Sequence, residues 1–342
     1  MFAPRLSFGY ALVILAGCSV VTYFATDYLR SDVYGNHAST GPETAEVSSS
    51  CKLNIDRLDG YKLIKPIVYA ESSCESGQYE NLKEKLIGLI NNYKVSKNLS
   101  SISIYLRVFG EGNWMSINSS EEYYPGSLLK VVGLLTYLKM SESQPGLLDK
   151  KLSFDSPKEF IPDQTYNSKH IVQGQKYSIR QLLKYMISYS DNNATFLLKD
   201  GANMAAFNKV FTDLKIQGPK EGNKDFKMTV NEYSMLLIVL YNATYLNREN
   251  SELALELLKE SDFNLGIVNG VPKNTVVVHK FGEMWDSTSK QLHESGLIYL
   301  NNITYLLTVM TKGQNSETLP SVISGISKEV YDYMKASDLA IN

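Results

Sequence analysis

The pattern of apolar and polar positions predicts strands near both ends of the chain and helices between them. From Tyr79, the segment YENLKEKLIGLINNY repeats leucine and isoleucine at helical spacing, which is typical of an amphipathic helix packed on a core. Residues 101–109, SISIYLRVF, alternate apolar and polar side chains, as a half-buried strand does. GNWMSINSS follows a Gly-Glu-Gly turn and is predicted to complete a hairpin with that strand.

Residues 141–262 are predicted to be mainly helical, since apolar residues recur at helical spacing in IRQLLKYMISYS, AAFNKVFTDLKI, TVNEYSMLLIVLYNATYL and NSELALELLKES. Three strands are predicted around 274–281, 292–300 and 303–311, followed by a helix near 320–336. Two early and three late strands predict one antiparallel sheet of five strands, with the helical region inserted between its halves. The predicted class is therefore mixed α/β (α+β).

One helix carries a candidate nucleophile. The segment SLLKVVGLLTYLK begins at Ser127 and is apolar on every face except at Lys130. Such a helix is normally buried, and burial lowers the pKa of a lysine. Residues three apart share a helix face, so the Ser127 hydroxyl and the Lys130 amine can meet in one pocket, where the amine can activate the serine. Alone, the four-residue pattern fits a capping serine and a lysine that reaches the surface better than it fits a nucleophile and its base.

Two further motifs follow in the chain. Ser-Asp-Asn occupies 190–192 and Lys-Phe-Gly occupies 280–282. Taken singly, the first could be a helix cap and the second an exposed strand. In the order S-x-x-K, S-D-N, K-x-G, however, the chain resembles class A β-lactamases and penicillin-binding proteins. The resemblance covers roughly residues 79 to 337 and extends to the strands around the third motif.

The resemblance implies a β-lactamase-like fold and an acyl-enzyme mechanism. Ser127 is expected to attack an amide carbonyl while Lys130 takes its proton, directly or through a water. Ser190 is expected to relay a proton to the leaving nitrogen. Asn192 is expected to hydrogen-bond the side-chain amide of the substrate, and Asp191 to stabilise the turn that presents its neighbours.

The third motif is expected to bind substrate through Lys280, Phe281, Gly282 and Glu283. Lys280 adds positive charge that lowers neighbouring pKa values and attracts an anionic substrate. The backbone N–H groups of Ser127 and Glu283 are expected to form the oxyanion hole. No metal and no cofactor are expected, because the histidines are dispersed and no Cys or His pair has metal-ligand spacing.

The chain departs from the family pattern in two places. Phe281 stands where the family usually carries a Thr or Ser hydroxyl that donates to a substrate carboxylate. The Glu-x-x-Leu-Asn segment, whose glutamate activates the deacylating water in class A enzymes, has no match. Glu221 and Asp225 are the acids in that region, and Glu221 fits a solvated loop residue better.

These departures leave acylation intact and put fast turnover in doubt. The expected function is a serine hydrolase acting on β-lactams or cell-wall peptide amides, and its deacylation is expected to be slow. A D,D-peptidase and a penicillin-binding or sensor domain that stays acylated are the alternatives, and a scaffold without activity is the least favoured. The net charge of −2 gives no sign of the excess positive charge that is typical of nucleic-acid-binding proteins.

The N-terminus predicts membrane targeting. Residues 6–26 contain no charge and are about as long as a bilayer-spanning helix. Arg5 precedes this run, which favours a domain outside the cytoplasm. Residues 1–30 are therefore expected to be an anchor. Leu-Ala-Gly before Cys18 also resembles a lipoprotein processing site, and a cleaved signal is a third possibility.

The predicted organisation is a tether and pre-domain segment at 31–78 and a hydrolase domain at 79–342. Within the domain, the sheet half comprises 79–140 and 263–342, and the helical half comprises 141–262. Two cysteines, Cys51 and Cys74, lie in the segment at 31–78. They are expected to form a disulfide if the segment is extracytoplasmic, and free thiols are the alternative.

Overall fold

The computed structural model describes residues 51–340 with gaps at residue 64, residue 111, 156–164, 167, 202, 221–224 and 286–288. The predicted anchor and Cys18 lie outside these residues. Within the described ranges, no helix combines the length and apolar character that crossing a bilayer requires.

The described residues contain eight α-helices: α1 (Glu80–Ser96), α2 (Lys130–Ser141), α3 (Ile179–Ser188), α4 (Asn192–Asp200), α5 (Met204–Asp213), α6 (Val230–Tyr241), α7 (Arg248–Lys259) and α8 (Leu319–Ala340). They also contain eleven strands: β1 (Leu53–Arg57), β2 (Ile67–Ser72), β3 (Leu99–Val108), β4 (Trp114–Ile117), β5 (Glu122–Tyr123), β6 (Lys151–Ser153), β7 (Lys176–Ser178), β8 (Met228–Thr229), β9 (Val276–Trp285), β10 (Lys290–Tyr299) and β11 (Thr304–Gly313).

Five of these strands form the predicted antiparallel sheet, in the order β4-β3-β11-β10-β9. The structure thus confirms the fold class, with strand ends that differ from the predicted ones by a few residues. β10 and β11 pair over their whole length, from Lys290 opposite Gly313 to Tyr299 opposite Thr304. β9 pairs only with β10 in this sheet, so it is an edge strand and its other edge can contact residues outside the sheet.

Each face of the sheet carries its own core. On one face, Leu86 of α1 and Ile326 of α8 belong to a cluster with Ile104 and Leu307 of the sheet. On the other face, the helices from α2 to α7 form a second cluster that includes Leu135. Although the sequence pattern placed residues up to 140 in the sheet half, α2 packs among the inserted helices. The chain therefore crosses between its halves before Lys130.

The segment before α1, whose structure the sequence pattern left open, contains a β-hairpin. β1 pairs with β2, and a disulfide joins Cys51 to Cys74. Nη1 of Arg107 on β3 lies 2.7 Å from Oε1 of Glu71 at the end of the hairpin, and Val68 is buried in the helical core. Residues from 51 onward accordingly form one compact unit, which includes the hairpin.

Candidate active site

Ser127 lies in a short 3₁₀ turn, Gly126–Leu129, that leads directly into α2. Gly126 has φ +53°, a left-handed conformation that glycine adopts without the cost a side chain would impose. A Cβ at this position would lie 2.3 Å from the carbonyl oxygen of Glu283. Pro125-Gly126 therefore bends the chain so that Ser127 starts the helix while touching β9.

β9 approaches the same turn at Gly282. A Cβ on Gly282 would lie 2.5 Å from the carbonyl oxygen of Pro125 and 2.7 Å from the nitrogen of Leu128. Only a residue without a side chain fits this approach. The third motif thus places the backbone of Glu283 against the turn that carries Ser127.

Lys130 is 6 % exposed. Its Nζ donates to the Ser190 carbonyl oxygen at 2.5 Å, to Ser190 Oγ at 3.2 Å and to Asn192 Oδ1 at 2.8 Å. Burial lowers the pKa of the Lys130 amine to about 7, against the opposing effect of the negative charges on Asp191 and Glu283. A substantial fraction of this amine is therefore unprotonated at neutral pH and can accept a proton.

Ser190 lies between two lysines. Its Oγ accepts from Lys280 Nζ at 3.0 Å as well as from Lys130. Burial, together with the nearby charge of Lys130, holds the pKa of Lys280 well below its ordinary value. Ser190 itself has φ +54°, a strained conformation for a residue with a side chain that is typical of functional sites.

Asp191 and Asn192 begin α4. The Asp191 carboxylate caps the helix by accepting from the N–H of Asn193 at 2.9 Å, and it also accepts from the N–H of Ile171 at 2.9 Å. It therefore stabilises the turn, as the sequence predicted. Because Oδ1 of Asn192 is bound to Lys130, the group that Asn192 can offer to a substrate is its NH₂ donor.

These elements enclose a cleft of 1150 Å³. Ser127, Lys130, Asn192 and Glu283 line it. Ser190 and Lys280 are fully buried and lie directly behind Lys130. All three motifs thus meet at one end of α2, with the nucleophile on the cleft wall and the second lysine in the layer beneath.

Comparisons with known proteins identify the family. The sequence model described as "Beta-lactamase enzyme family" matches residues 81–334, most of the chain. The chain belongs to the β-lactamase enzyme family. It is a serine hydrolase with the fold of class A β-lactamases and penicillin-binding proteins. No curated protein sequence matches it significantly.

Solved structures show the same β-lactamase fold. A mutant of PBP-A, as its acyl-enzyme complex with penicillin G, is 18% identical with a TM-score of 0.62, covering 75% of this chain and 97% of that chain. The TLA-1 extended-spectrum β-lactamase is 20% identical with a TM-score of 0.62, covering 73% and 98%. A β-lactamase from Chitinophaga pinensis is 18% identical with a TM-score of 0.64, covering 75% and 100%.

Phe281 marks one departure of this β-lactamase-family chain. Phe281 was expected to bind substrate, but it is not among the residues that line the cleft. Its ring is buried and stacks on Phe263, with ring centres 4.3 Å apart. The Nζ of Lys280 lies 4.3 Å from the centre of the Phe281 ring. The side chain therefore fills the core and shields the ammonium of Lys280 on one side.

The side chain of Glu283 was not anticipated from the sequence, which assigned only its backbone N–H. Burial raises the pKa of this carboxyl, while hydrogen bonds from the backbone of Tyr166 and Thr165 oppose the shift. Oε2 is buried without a hydrogen-bond partner among the described residues. The sequence did contain a signal for this side chain, because an acidic residue directly follows the glycine of the K-x-G motif.

The acids of the expected deacylation loop contribute little to the described site. Glu221 lies outside the described residues. Asp225 is exposed and is bound by Tyr124 and by Lys227, which lower its pKa. Within the part of the chain that the structure describes, no group of three His, Cys, Asp or Glu side chains lies close enough to hold a metal.

Proposed function

We propose that this chain is acylated at Ser127 by β-lactams or cell-wall peptide amides and releases the acyl group slowly. The observation that carries the proposal is the buried Lys130 amine, with its pKa lowered to about 7, one helical turn after Ser127 on the same cleft wall. A base of this pKa is well suited to general-base catalysis at neutral pH.

Acylation begins when Ser127 Oγ attacks the amide carbonyl carbon and gives its proton to Lys130 Nζ. The negative charge that develops on the carbonyl oxygen is stabilised by the backbone N–H groups of Ser127 and Glu283, a contribution of about 3 kcal/mol for one such donor in a related type of site. The contact between Gly126 and the backbone of Glu283 supports this assignment, because it brings the two peptide groups together.

The carbon–nitrogen bond then breaks, and the leaving nitrogen takes a proton from the Ser190 hydroxyl. Lys130, now protonated, returns a proton to Ser190 across their 3.2 Å contact. Lys280, 3.0 Å from the same oxygen, stabilises the transient negative charge on Ser190. The product of this half-reaction is the ester of Ser127.

Release of the ester needs a water and a base. The glutamate of the family's deacylation loop has no match in this sequence, and Asp225 is engaged at the surface. Deacylation therefore lacks the base that class A enzymes use to activate the water. We therefore expect the acyl-enzyme to persist and to be detected as a stable adduct.

The test is to mix the full chain with a fluorescent penicillin and, separately, with a chromogenic cephalosporin. The proposal predicts stoichiometric labelling at Ser127, a burst of product close to one equivalent and a much slower steady rate. Ser127→Ala should show neither signal while keeping the thermal unfolding profile. Labelling retained in Ser127→Ala would refute the assignment of the nucleophile.

A D,D-peptidase is the second candidate, favoured by the likeness of the fold to PBP-A. It differs in outcome, because a peptide ending in D-Ala-D-Ala would then be hydrolysed with turnover. Phe281 argues against strong recognition of a terminal carboxylate, since it offers no hydrogen-bond donor where the family has one. A hydrogen bond to a charged group contributes about 1.5–3 kcal/mol.

We also propose that the domain lies outside the cytoplasm, anchored through residues 6–26, with lipidation of Cys18 as the alternative. The Cys51–Cys74 disulfide supports this placement, because disulfides persist mainly in oxidising compartments. Protease treatment of intact cells should degrade the domain. Metabolic labelling with a fatty-acid analogue, lost in Cys18→Ser, would favour the lipoprotein.

A further inference from the structure

The cleft does not end at the catalytic residues. It continues past Lys130 between α2, α3, α4 and α5, where its walls are Gly133, Thr136, Tyr137, Met186, Leu198 and Phe207. We refer to this part as the apolar arm. The whole cleft, at 1150 Å³, exceeds the usual range of about 300–1000 Å³ for small-molecule pockets, so a ligand confined to the catalytic end would leave the arm unfilled.

Helix geometry explains why the arm is continuous with the nucleophile. Lys130, Gly133 and Tyr137 follow one another at spacings of three and four residues, so they share one face of α2. Asn192 and Thr195 stand in the same relation on α4. Gly133 supplies no side chain, and a Cβ there would meet only Met186, at 3.6 Å. The two helices therefore leave a channel where their side chains are smallest.

The polar groups of the arm are already satisfied by the backbone. The Thr136 hydroxyl donates to the Val132 carbonyl at 2.7 Å, and the Tyr137 hydroxyl donates to the Leu198 carbonyl at 2.5 Å. The hydroxyl of Thr195, which also lines the cleft, donates to the Asp191 carbonyl at 2.7 Å. A polar ligand group would find few partners here and would lose its hydration, whereas an apolar group would lose nothing.

The position of the arm selects one side of the scissile bond. Ser190 and Lys280, which serve the leaving nitrogen in the proposed reaction, are buried behind Lys130 and do not line the cleft. The residues of α2 and α4 that wall the arm come later along these helices than Lys130 and Asn192, which line the cleft beside the nucleophile. The part of the substrate that remains on Ser127 is therefore the part that can reach it.

We infer that the apolar arm binds an extended apolar group on the acyl side of the substrate, such as an alkyl chain or an aryl-alkyl group. This inference rests on the proposed acylation of Ser127 and specifies its substrate class. Each methylene that is removed from water should increase the rate of acylation about two- to fourfold, until the chain reaches the end of the arm.

The experiment measures acylation bursts with p-nitrophenyl acetate, butyrate, hexanoate and octanoate, with Ser127→Ala as background. The wild-type protein should prefer octanoate to acetate by at least tenfold. Gly133→Leu, which places a side chain in the arm, should lower the octanoate-to-acetate ratio at least tenfold. Gly88→Leu is the matched control, since Gly88 is a helical glycine with open space around it, and its ratio should equal that of the wild type.

A wild-type ratio near one, or an unchanged ratio in Gly133→Leu, would overturn the inference. Thr195→Leu narrows the arm from the opposite helix and provides a second variant if Gly133→Leu unfolds. Binding is also measured without chemistry, by titrating Ser127→Ala with octananilide. Weaker binding when Gly133→Leu is added supports the arm, and unchanged binding contradicts it. Absence of any Ser127-dependent burst, with octananilide still bound in the arm, would refute the proposed function alone.

Discussion

Two buried cations in this protein have opposite surroundings. Arg107 binds the carboxylate of Glu71 at 2.7 Å and donates to the Ala70 carbonyl at 3.0 Å. Burial tends to lower its pKa, but Tyr105, Tyr69 and Glu71 raise it above the ordinary value. Arg107 therefore keeps its charge and attaches the hairpin to the sheet.

Lys130 has no such partner. In the described part of the chain, neither it nor Lys280 forms an ion pair with a carboxylate, and each instead contacts neutral oxygens around Ser190. Burial consequently lowers both pKa values. The comparison shows that Arg107, with a carboxylate in contact, keeps its charge, whereas Lys130, without one, has a pKa lowered to about 7 and can act as a base at neutral pH.

The largest expected effect follows from removing that base. Lys130→Ala should reduce the second-order rate of penicillin labelling about 10³-fold or more, because the serine and its base act as a unit. Stopped-flow labelling measures it, and Lys94→Ala, an exposed lysine on α1, is the control. A rate within tenfold of the wild type would show that another group accepts the proton.

Removing the carboxylate at the other cation should change stability instead. Glu71→Ala leaves Arg107 buried and unpaired, which costs about 3–5 kcal/mol in the free energy of unfolding. Urea denaturation measures the loss, with the exposed Glu84→Ala as control. The labelling rate of the folded fraction should not change. If the labelling rate of the folded fraction fell in proportion to the free energy of unfolding, the surroundings of Arg107 and of Lys130 would not be independent.

The disulfide provides a third, smaller test of the hairpin. Replacing Cys51 and Cys74 by serine should lower the free energy of unfolding by about 3 kcal/mol, because the unfolded chain regains the entropy of a loop with a sequence separation of 23. Reductant should destabilise the wild type to the same degree and leave the variant unaffected. Equal stability of oxidised and reduced wild type would contradict this.

The smallest expected effect concerns pH. Since the pKa of Lys130 is lowered to about 7, acylation should increase as pH rises through that value and the amine loses its proton. The charge of Glu283 opposes the lowering, so Glu283→Gln should move the midpoint to lower pH by up to about one unit. Labelling rates between about pH 5 and 9 measure it. A midpoint that stays in place or rises would exclude this coupling.

The sequence predicted those features whose causes are local. An apolar helix with one lysine pointed to Ser127 and Lys130. Alternation predicted the strand at 101–109, a glycine turn its hairpin partner, and the resemblance to the family supported the three late strands. The hairpin β1–β2 was missed because its order depends on a distant contact between Glu71 and Arg107. The core position of the Phe281 ring depends on Phe263, and no local pattern reports such a stacking.

The apolar arm could not be predicted from the sequence for a similar reason. Gly133 is a single glycine in an otherwise good helix, where it costs about 1 kcal/mol relative to alanine. That anomaly was visible in the sequence, but its meaning required the positions of α4 and α5. A cavity is a property of several elements at once, so only the assembled helices define its walls.

The close approach of Gly126 to Glu283, and of Gly282 to Pro125 and Leu128, has a consequence for how such a protein can change over time. Peptide groups, rather than side-chain rotamers, fix the spacing between the serine turn and β9. Substitutions along the cleft can therefore alter which molecules fit without disturbing the alignment of the reacting groups. Main-chain contacts set the alignment of the serine turn with β9, so residues lining the cleft can change, and selectivity with them, while that alignment is kept.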